Sequence, residues 1–439
     1  MKRLLEFEKQ IEKLPCVKFD VVGSVKQIIG ISIEVSGLLA PIGSRCSIVS
    51  NGNVVYADVV GFKNDVALLQ ALDGVSGIEP NAEVHLVSRK KIFQFSDNLL
   101  GCVIDPLGNV LIGENTVRDE TITVDKPPLR ISERGFIEER FETGIKAIDI
   151  FLPLGFGQRV GIMAGTGVGK SVLLQMITRY SSADVVVIGL IGERGREVLE
   201  FAEEILSSDA RDKTVVVAAP ADFSPIIRMQ GAEVATAIAE HFRDQGKNVL
   251  LLMDSVTRYA QAHREVALSA GESPVNKGYP ASVFAKLPAL IERAGSVKHG
   301  GITAIYTVLV EGDDNNDPIG DAARGVLDGH IVLSRAIAER GVYPAIDIPK
   351  SISRLSKDLL SPDDFNKVRK IASMYSLLDE NADLISLGMI ETGANVKLDK
   401  AISLSSDLEE LVKQNISDGF SISQSEKLRD SMFSEISSL

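Results

Sequence analysis

The 439 residues include no tryptophan, three cysteines and only 5% aromatic residues. Cys16, Cys46 and Cys102 have no metal-binding spacing. Three thiols are also too few for a disulfide framework, so the pattern fits a reducing compartment. No apolar run approaches the roughly 18 residues that a membrane helix needs. Glu6, Glu8 and Lys9 interrupt the basic opening Met1-Lys2-Arg3, which is therefore not read as a signal peptide. Positive charge is short as well: 47 Lys and Arg stand against 60 Asp and Glu, a net −13. Non-specific nucleic-acid binding depends on Lys and Arg neutralising phosphates. This balance, with no Trp to stack on bases, gives the expectation of no nucleic-acid partner and favours protein partners in the cytoplasm.

What is present falls into zones. A leading segment, 1–18, carries Leu4, Phe7, Ile11 and Leu14 at helical spacing, an apolar stripe suited to a partner's groove. Residues 19–88 read as short strands with frequent turns, a small β-barrel or sandwich. Asn51-Gly52-Asn53 between Val49 and Val54 is a hairpin signal. From 89 to 365, apolar strand-like runs alternate with helical stretches: Arg159 to Ala164, Asp184 to Gly192, Thr214 to Ala219, Asn248 to Asp254, Thr303 to Val310 and His330 to Leu333. This alternation implies an α/β domain with a mostly parallel sheet covered on both faces. Residues 366–439 read as a helical domain. Val368, Ile371, Ala372, Tyr375 and Leu378 share one helix face. Asp407 to Gln414 forms a second amphipathic piece capped by Ser406, and the Ser-rich end from Ser421 is expected to fray.

The chemistry is carried by Ala164-Gly165-Thr166-Gly167-Val168-Gly169-Lys170-Ser171, which follows an apolar strand and opens a helix. That is the context a phosphate-binding loop requires. Small residues let backbone N–H groups close around an anion, and the helix N-terminus adds partial positive charge. Lys170 would reach the β- and γ-phosphates of ATP, and the Ser171 hydroxyl would ligate Mg²⁺. Ala164 stands where the strict pattern has glycine, a change of one methyl. Asp254 ends a buried strand downstream, where P-loop enzymes hold the acid that organises the Mg²⁺ shell.

Gly192-Glu193-Arg194-Gly195-Arg196-Glu197 follows the next strand, and long ordered segments follow it: Asp254 to Glu265, Lys277-Gly278-Tyr279-Pro280, Val310 to Asp314, Leu327 to Arg335, Tyr343 to Asp347 and Ser351 to Arg354. On these the chain resembles the ATP synthase catalytic-subunit superfamily, and within it the flagellar and type III secretion export ATPases. The resemblance implies a RecA-like core with an N-terminal β-barrel and a C-terminal helical domain, acting as a homohexamer. It implies Glu193 as the carboxylate that polarises the attacking water. Arg194 and Glu197 fall beside the γ-phosphate and the metal shell, Tyr343 packs on adenine, and Arg354 is an arginine finger given to a neighbouring subunit. It also implies a stator-like regulator bound at the N-terminus, a central stalk coiled-coil protein, export chaperones with their cargo, and a membrane export gate reached through partners at the inner membrane.

Glu193 argues against a non-catalytic ring subunit. Few aromatics and no dense basic cluster in residues 19–88 argue against an RNA-translocating helicase. The run from Arg258 to Glu265 resembles the export enzymes more than a rotary synthase subunit. The phosphate loop and the run from Phe284 to Gly295 look flagellar rather than virulence-type. Ser386 to Ile390 departs from the family, where a basic residue and an aromatic often stand, and this bears on partner recognition rather than on hydrolysis.

Overall fold

The computed structural model describes residues 22–114, 118, 120–310, 317–391, 393 and 395–437. The stripe Leu4, Phe7, Ile11 and Leu14, and residues 311–314 of the resemblance, lie outside them. The chain divides into two compact units, one ending at Lys90 and one starting at Lys91.

In the first unit, β1 (Gly23–Ile29), β2 (Ser32–Ser36), β3 (Arg45–Ser50), β4 (Asn53–Lys63), β5 (Val66–Ala71) and β6 (Glu83–Ser88) close into a barrel of order β1-β2-β5-β4-β3-β6. Alternate residues fill its interior: Ile33 and Val35 on β2, Cys46 and Ile48 on β3, Ala57 and Val59 on β4. The hairpin signal is realised. Ser50 pairs with Asn53, and Asn51 (φ 49°) and Gly52 (φ 80°) form a loop of left-handed residues, whose twist matches that of the flanking strands. Burial pushes the Cys46 thiol up to about 11, which makes it an inert core residue.

The second unit is built on a ten-stranded sheet. Its strands include β7 (Val103–Ile104), β8 (Val110–Ile112), β9 (Arg159–Ala164), β10 (Val185–Ile191), β11 (Thr214–Ala219), β12 (Asn248–Asp254), β13 (Gly301–Leu309), β14 (Gly329–Leu333) and β15 (Ile352–Ser353), in the order β15-β14-β9-β13-β12-β10-β11-β7-β8. The six apolar runs read from the sequence are β9 to β14, and all pairs among them are parallel. The edges are antiparallel: β15 against β14 and β8 against β7. Each of β10 and β11 is buried along its whole length, because helices cover both faces. Parallel strands bring their carboxyl ends to one rim, where ligands bind in open α/β sheets. No helix among the described residues is long and apolar enough to cross a membrane.

The C-terminal helices join the same apolar core as the sheet. Val368, Ile371 and Met374 of the helix Pro362–Glu380 are buried, with Ala372, Tyr375 and Leu378 packed against that core. Two expectations are corrected. Ser406 is not a cap: the helix Ser405–Val412 starts one residue earlier, with Leu404 at its cap and no side-chain hydrogen bond. The preceding helix Val396–Ser403 runs directly into it, so no extended capping residue intervenes. The Ser-rich stretch expected to fray is also ordered over its described residues: Ile422–Ser437 is a helix burying Ser425, Arg429, Met432 and Ile436. Two of these are polar, which hid the face from an apolar pattern. Arg429 is paid for by Asp364 Oδ1 at 2.5 Å, and Arg140 Nη1 reaches Glu426 Oε1 at 2.7 Å.

Candidate active site

The phosphate loop leaves the end of β9. Ala164 is the last residue of that strand and is buried, so its methyl packs in the core and does not enter the anion cradle. Gly167 (φ 79°) and Gly169 (φ 87°) hold left-handed backbone, which a residue with a Cβ adopts only under strain. The helix Lys170–Tyr180 then starts with Gly169 at its cap and no side-chain capping bond. Its first-turn N–H groups therefore point at the loop without a side-chain acceptor, an arrangement ready for an anion.

Two strands bring acids to this loop, and a third brings a hydroxyl. Asp254 ends β12, and Glu193 stands two residues beyond β10. Lys170 Nζ lies 2.5 Å from Asp254 Oδ1 and 3.3 Å from Glu193 Oε1. From β13, Thr307 Oγ1 donates to the same Asp254 oxygen at 2.6 Å. All three charged groups are largely buried, with side-chain exposures of 12% for Lys170, 16% for Glu193 and 4% for Asp254. Burial by itself would lower the Lys170 pKa, but the Asp254 and Glu193 carboxylates outweigh it and the pKa is raised. For Glu193, burial and the Asp254 charge push the carboxyl up, against the opposing pull of Lys170 and Arg258, and it sits above its ordinary range. A buried carboxyl raised in this way beside a phosphate loop is a candidate for proton chemistry.

Ser171, Glu193, Glu197 and Asp254 line one narrow crevice with Leu190, Val198 and Phe201. A hydroxyl and carboxylates are hard oxygen donors, which suit Mg²⁺ when substrate phosphates and water complete its shell. The donor set therefore fits the ion that accompanies ATP. Glu193 does not pair with its sequence neighbours: Arg194 pairs with Glu197 at 3.2 Å and Arg196 with Glu200 at 2.7 Å, all on the exposed helix surface. The Tyr343 ring is half exposed and lies over the loop, since a Cβ at Gly169 would meet its Cδ1 and Cε1 at 3.3 Å. The Tyr343 carbonyl accepts from Gln414 N at 2.9 Å, which ties it to the C-terminal region.

Arg194 stays on the surface, and Arg354 does not join the cluster either. It follows β15, and its N–H donates to Asp328 O at 2.9 Å, beside Arg159 at the start of β9. The phosphate loop begins at the other end of β9. At about 3.3 Å per residue, the strand separates the two by roughly 16 Å, beyond an arginine's reach.

Three neighbours of the site carried no assigned role in the sequence reading. Arg258 lies against the Glu193 turn: a Cβ at Gly192 would stand 2.8 Å from Arg258 Cβ. Its position four residues after Asp254, in the first turn of the helix Val256–Ser269, was the available signal. Thr307 was a polar residue in an apolar strand. Arg335 Nη2 donates to Thr166 O at 3.2 Å, steadying the loop from the far side, and nothing local in the sequence signals that contact.

A parallel sheet with a glycine-rich loop, a lysine and two acids on its carboxyl rim defines a RecA-like P-loop nucleotide-binding protein. The ATP synthase alpha/beta family nucleotide-binding domain matches residues 144–353, that family's beta-barrel domain matches 25–86, and the T3SS EscN ATPase C-terminal domain matches 360–428. The chain is 49% identical over 427 residues to the flagellum-specific ATP synthase of Salmonella typhimurium, covering 93% of this chain and 92% of that one. With the flagellum-specific ATP synthase of Bacillus subtilis it shares 42% over 396 residues, covering 89% and 90%. The structure of the assembled ATPase EscN from the enteropathogenic E. coli type III secretion system superposes with a TM-score of 0.87 at 39% identity, covering 94% of this chain and all of that one. A second EscN structure, in complex with its central stalk EscO, gives 0.85 at 38%, again over 94% and 100%. The chain belongs to the flagellum-specific and type III secretion ATPases of the ATP synthase alpha/beta family, and it is an ATPase.

Proposed function

We propose that the chain hydrolyses Mg-ATP as a homohexameric ring that energises flagellar protein export, with each site completed by a neighbour. The observation that carries this is the position of Arg354, a strand's length from its own phosphate loop and exposed. The flagellar names of relatives at 39–49% identity support the pathway. The assembled EscN structure and its EscO complex support the ring and a central stalk partner.

In this reading, loop N–H groups from Gly165 to Ser171 and the Lys170 ammonium hold the phosphates, while Ser171, Asp254 and Glu197 face the accompanying Mg²⁺. That ion neutralises charge on the phosphate oxygens. Glu193 orients a water in line with the γ-phosphate and accepts its proton. Arg258 acts on Glu193 directly, while Arg194, exposed and paired with Glu197, flanks the same turn from the surface. The neighbour's Arg354 neutralises charge on the phosphoryl group in transfer. Asp254 and Glu193 compete with phosphate for Lys170, so the lysine must exchange partners as substrate arrives. Chaperones, cargo, an N-terminal regulator on residues 1–18 and the export gate are the proposed partners. The proposed location is the cytoplasm, against the inner membrane through those partners.

Phosphate release from Mg-ATP across a protein dilution series tests the shared site. Specific activity is expected to rise steeply with concentration as rings assemble; a flat response down to dilute monomer refutes it. Tyr343 carries a second expectation. Base–aromatic stacking is worth about 1–3 kcal/mol, so Tyr343→Ala should raise KM for ATP roughly 5- to 150-fold and leave kcat within about twofold. An unchanged KM would remove Tyr343 from the base pocket.

A further inference from the structure

An exposed arginine just past the end of a strand wanders among rotamers and backbone positions unless its main chain is fixed. Arg354 follows a strand of two residues at the edge of the sheet, the weakest kind of anchorage the sheet offers. The residue that fixes it is Asp328. Asp328 O accepts from Arg354 N at 2.9 Å, and Asp328 N donates to Arg159 O at 2.8 Å. Its carboxylate takes three more bonds from one residue: Arg159 N at 3.0 Å, Nε at 3.2 Å and Nη2 at 3.3 Å. The guanidinium is closed on its other side by Glu292 Oε2 at 2.7 Å from Nη1, and Glu292 in turn takes Arg134. Gln158, fully buried, adds a bond to Ser353 Oγ at 3.2 Å. The Arg354 side chain rests on Arg324 O at 3.2 Å.

We propose that Asp328, clamped by Arg159, is a positioning residue that holds Arg354 at the height and angle needed to meet the phosphate of the neighbouring copy; this rests on the reading of Arg354 as a finger given in trans. A bidentate carboxylate–guanidinium pair fixes direction as well as distance. This pair joins the foot of β9 to the residue before β14, whose carbonyl holds the Arg354 N–H. The far end of the same strand carries the phosphate loop, so one rigid element holds both the site a subunit owns and the finger it lends. Asp328 touches no substrate, and its effect is carried entirely by where Arg354 sits. A misplacement of about 1 Å in such a group costs on the order of 10²-fold in rate.

The test uses the full chain. Asp328→Ala is expected to lower kcat about 10- to 100-fold with KM for ATP little changed. Its own site is intact, so mixing it with Glu193→Gln subunits, which have a dead site but a sound finger, should restore activity well above the sum of the two alone. Arg354→Ala mixed with Glu193→Gln is the reference and should recover likewise. Recovery with Arg354→Ala but not with Asp328→Ala overturns the positioning role and leaves the trans finger standing. An unchanged kcat in Asp328→Ala overturns it too. No recovery in either mixture refutes the trans finger itself. If Asp328→Ala does not fold, Asp328→Asn keeps the side-chain volume and one acceptor, loses the ion pair, and is read by the same mixtures.

Discussion

Arg354→Ala is expected to lower kcat by about 10³ to 10⁵ while KM for ATP changes little, as for arginines that act only on the transferring phosphoryl group. The size follows from where the charge acts. In the ground state the phosphates are already held by the loop N–H groups and Lys170, so a further cation adds little to binding. In the transition state charge spreads over the phosphoryl oxygens, inside a site whose acids are buried. There a fixed guanidinium stabilises far more than it would in water. Arg354 is exposed in the single chain, and among the described residues its side chain bonds only the Arg324 main-chain carbonyl, so its removal leaves no buried charge unpaired. Thermal stability should therefore stay close to wild type, within the ±0.5 kcal/mol usual for surface changes. Steady-state kinetics beside a melting curve checks both. A KM effect with kcat intact would assign Arg354 to substrate binding, and a large fall in stability would assign it to the fold.

Glu193→Gln is expected to abolish turnover, with a loss of roughly 10²- to 10⁴-fold or more, the range for removing a general base, while nucleotide binding persists. Glutamine keeps the shape but cannot take the water's proton. It also removes one of the two carboxylates that hold Lys170, so the ammonium is freer to bind phosphate, and affinity for ATP should hold or tighten. Fluorescent-nucleotide titration beside phosphate release separates the two effects; lost binding together with lost turnover would make Glu193 a structural partner of Lys170. The pH profile adds a signature. The working form of Glu193 is ionised, and burial with the Asp254 charge raises its pKa. Wild-type activity should thus fall on acidification at a pH above the ordinary carboxylate range, because protonation sets in earlier as pH drops. The residual rate of Glu193→Gln should lack that limb. A wild-type limb at the ordinary carboxylate pKa would show that bound substrate cancels the shift.

Local order was legible in the sequence wherever one segment sufficed. The phosphate loop needs only small residues between an apolar strand and a helix, and those are contiguous from Ala164 to Ser171. The six apolar runs became β9 to β14 because a strand buried on both faces must be apolar throughout. The Asn51-Gly52 turn followed from backbone sterics alone. Glu193, Asp254, Tyr343 and Arg354 were picked out by the ordered motifs around them, and their spacing says nothing of distance.

Tertiary structure decided what those residues do to one another. Lys170 and Asp254 are 84 residues apart in the chain, and only strand order puts the ends of β9 and β12 on one rim. The same order sends Arg354 to the opposite end of β9, and this separation, rather than any local feature, is what the proposed sharing of sites between neighbours rests on. The clamp of Asp328 on Arg159 spans 169 residues, and the last helix buries Arg429 because Asp364 waits across a helix pair. A sequence determines what a segment can form by itself, since backbone sterics and apolar periodicity act over a few residues. Which charges meet depends on the packing of elements distant in the chain, and only the folded sheet fixes that.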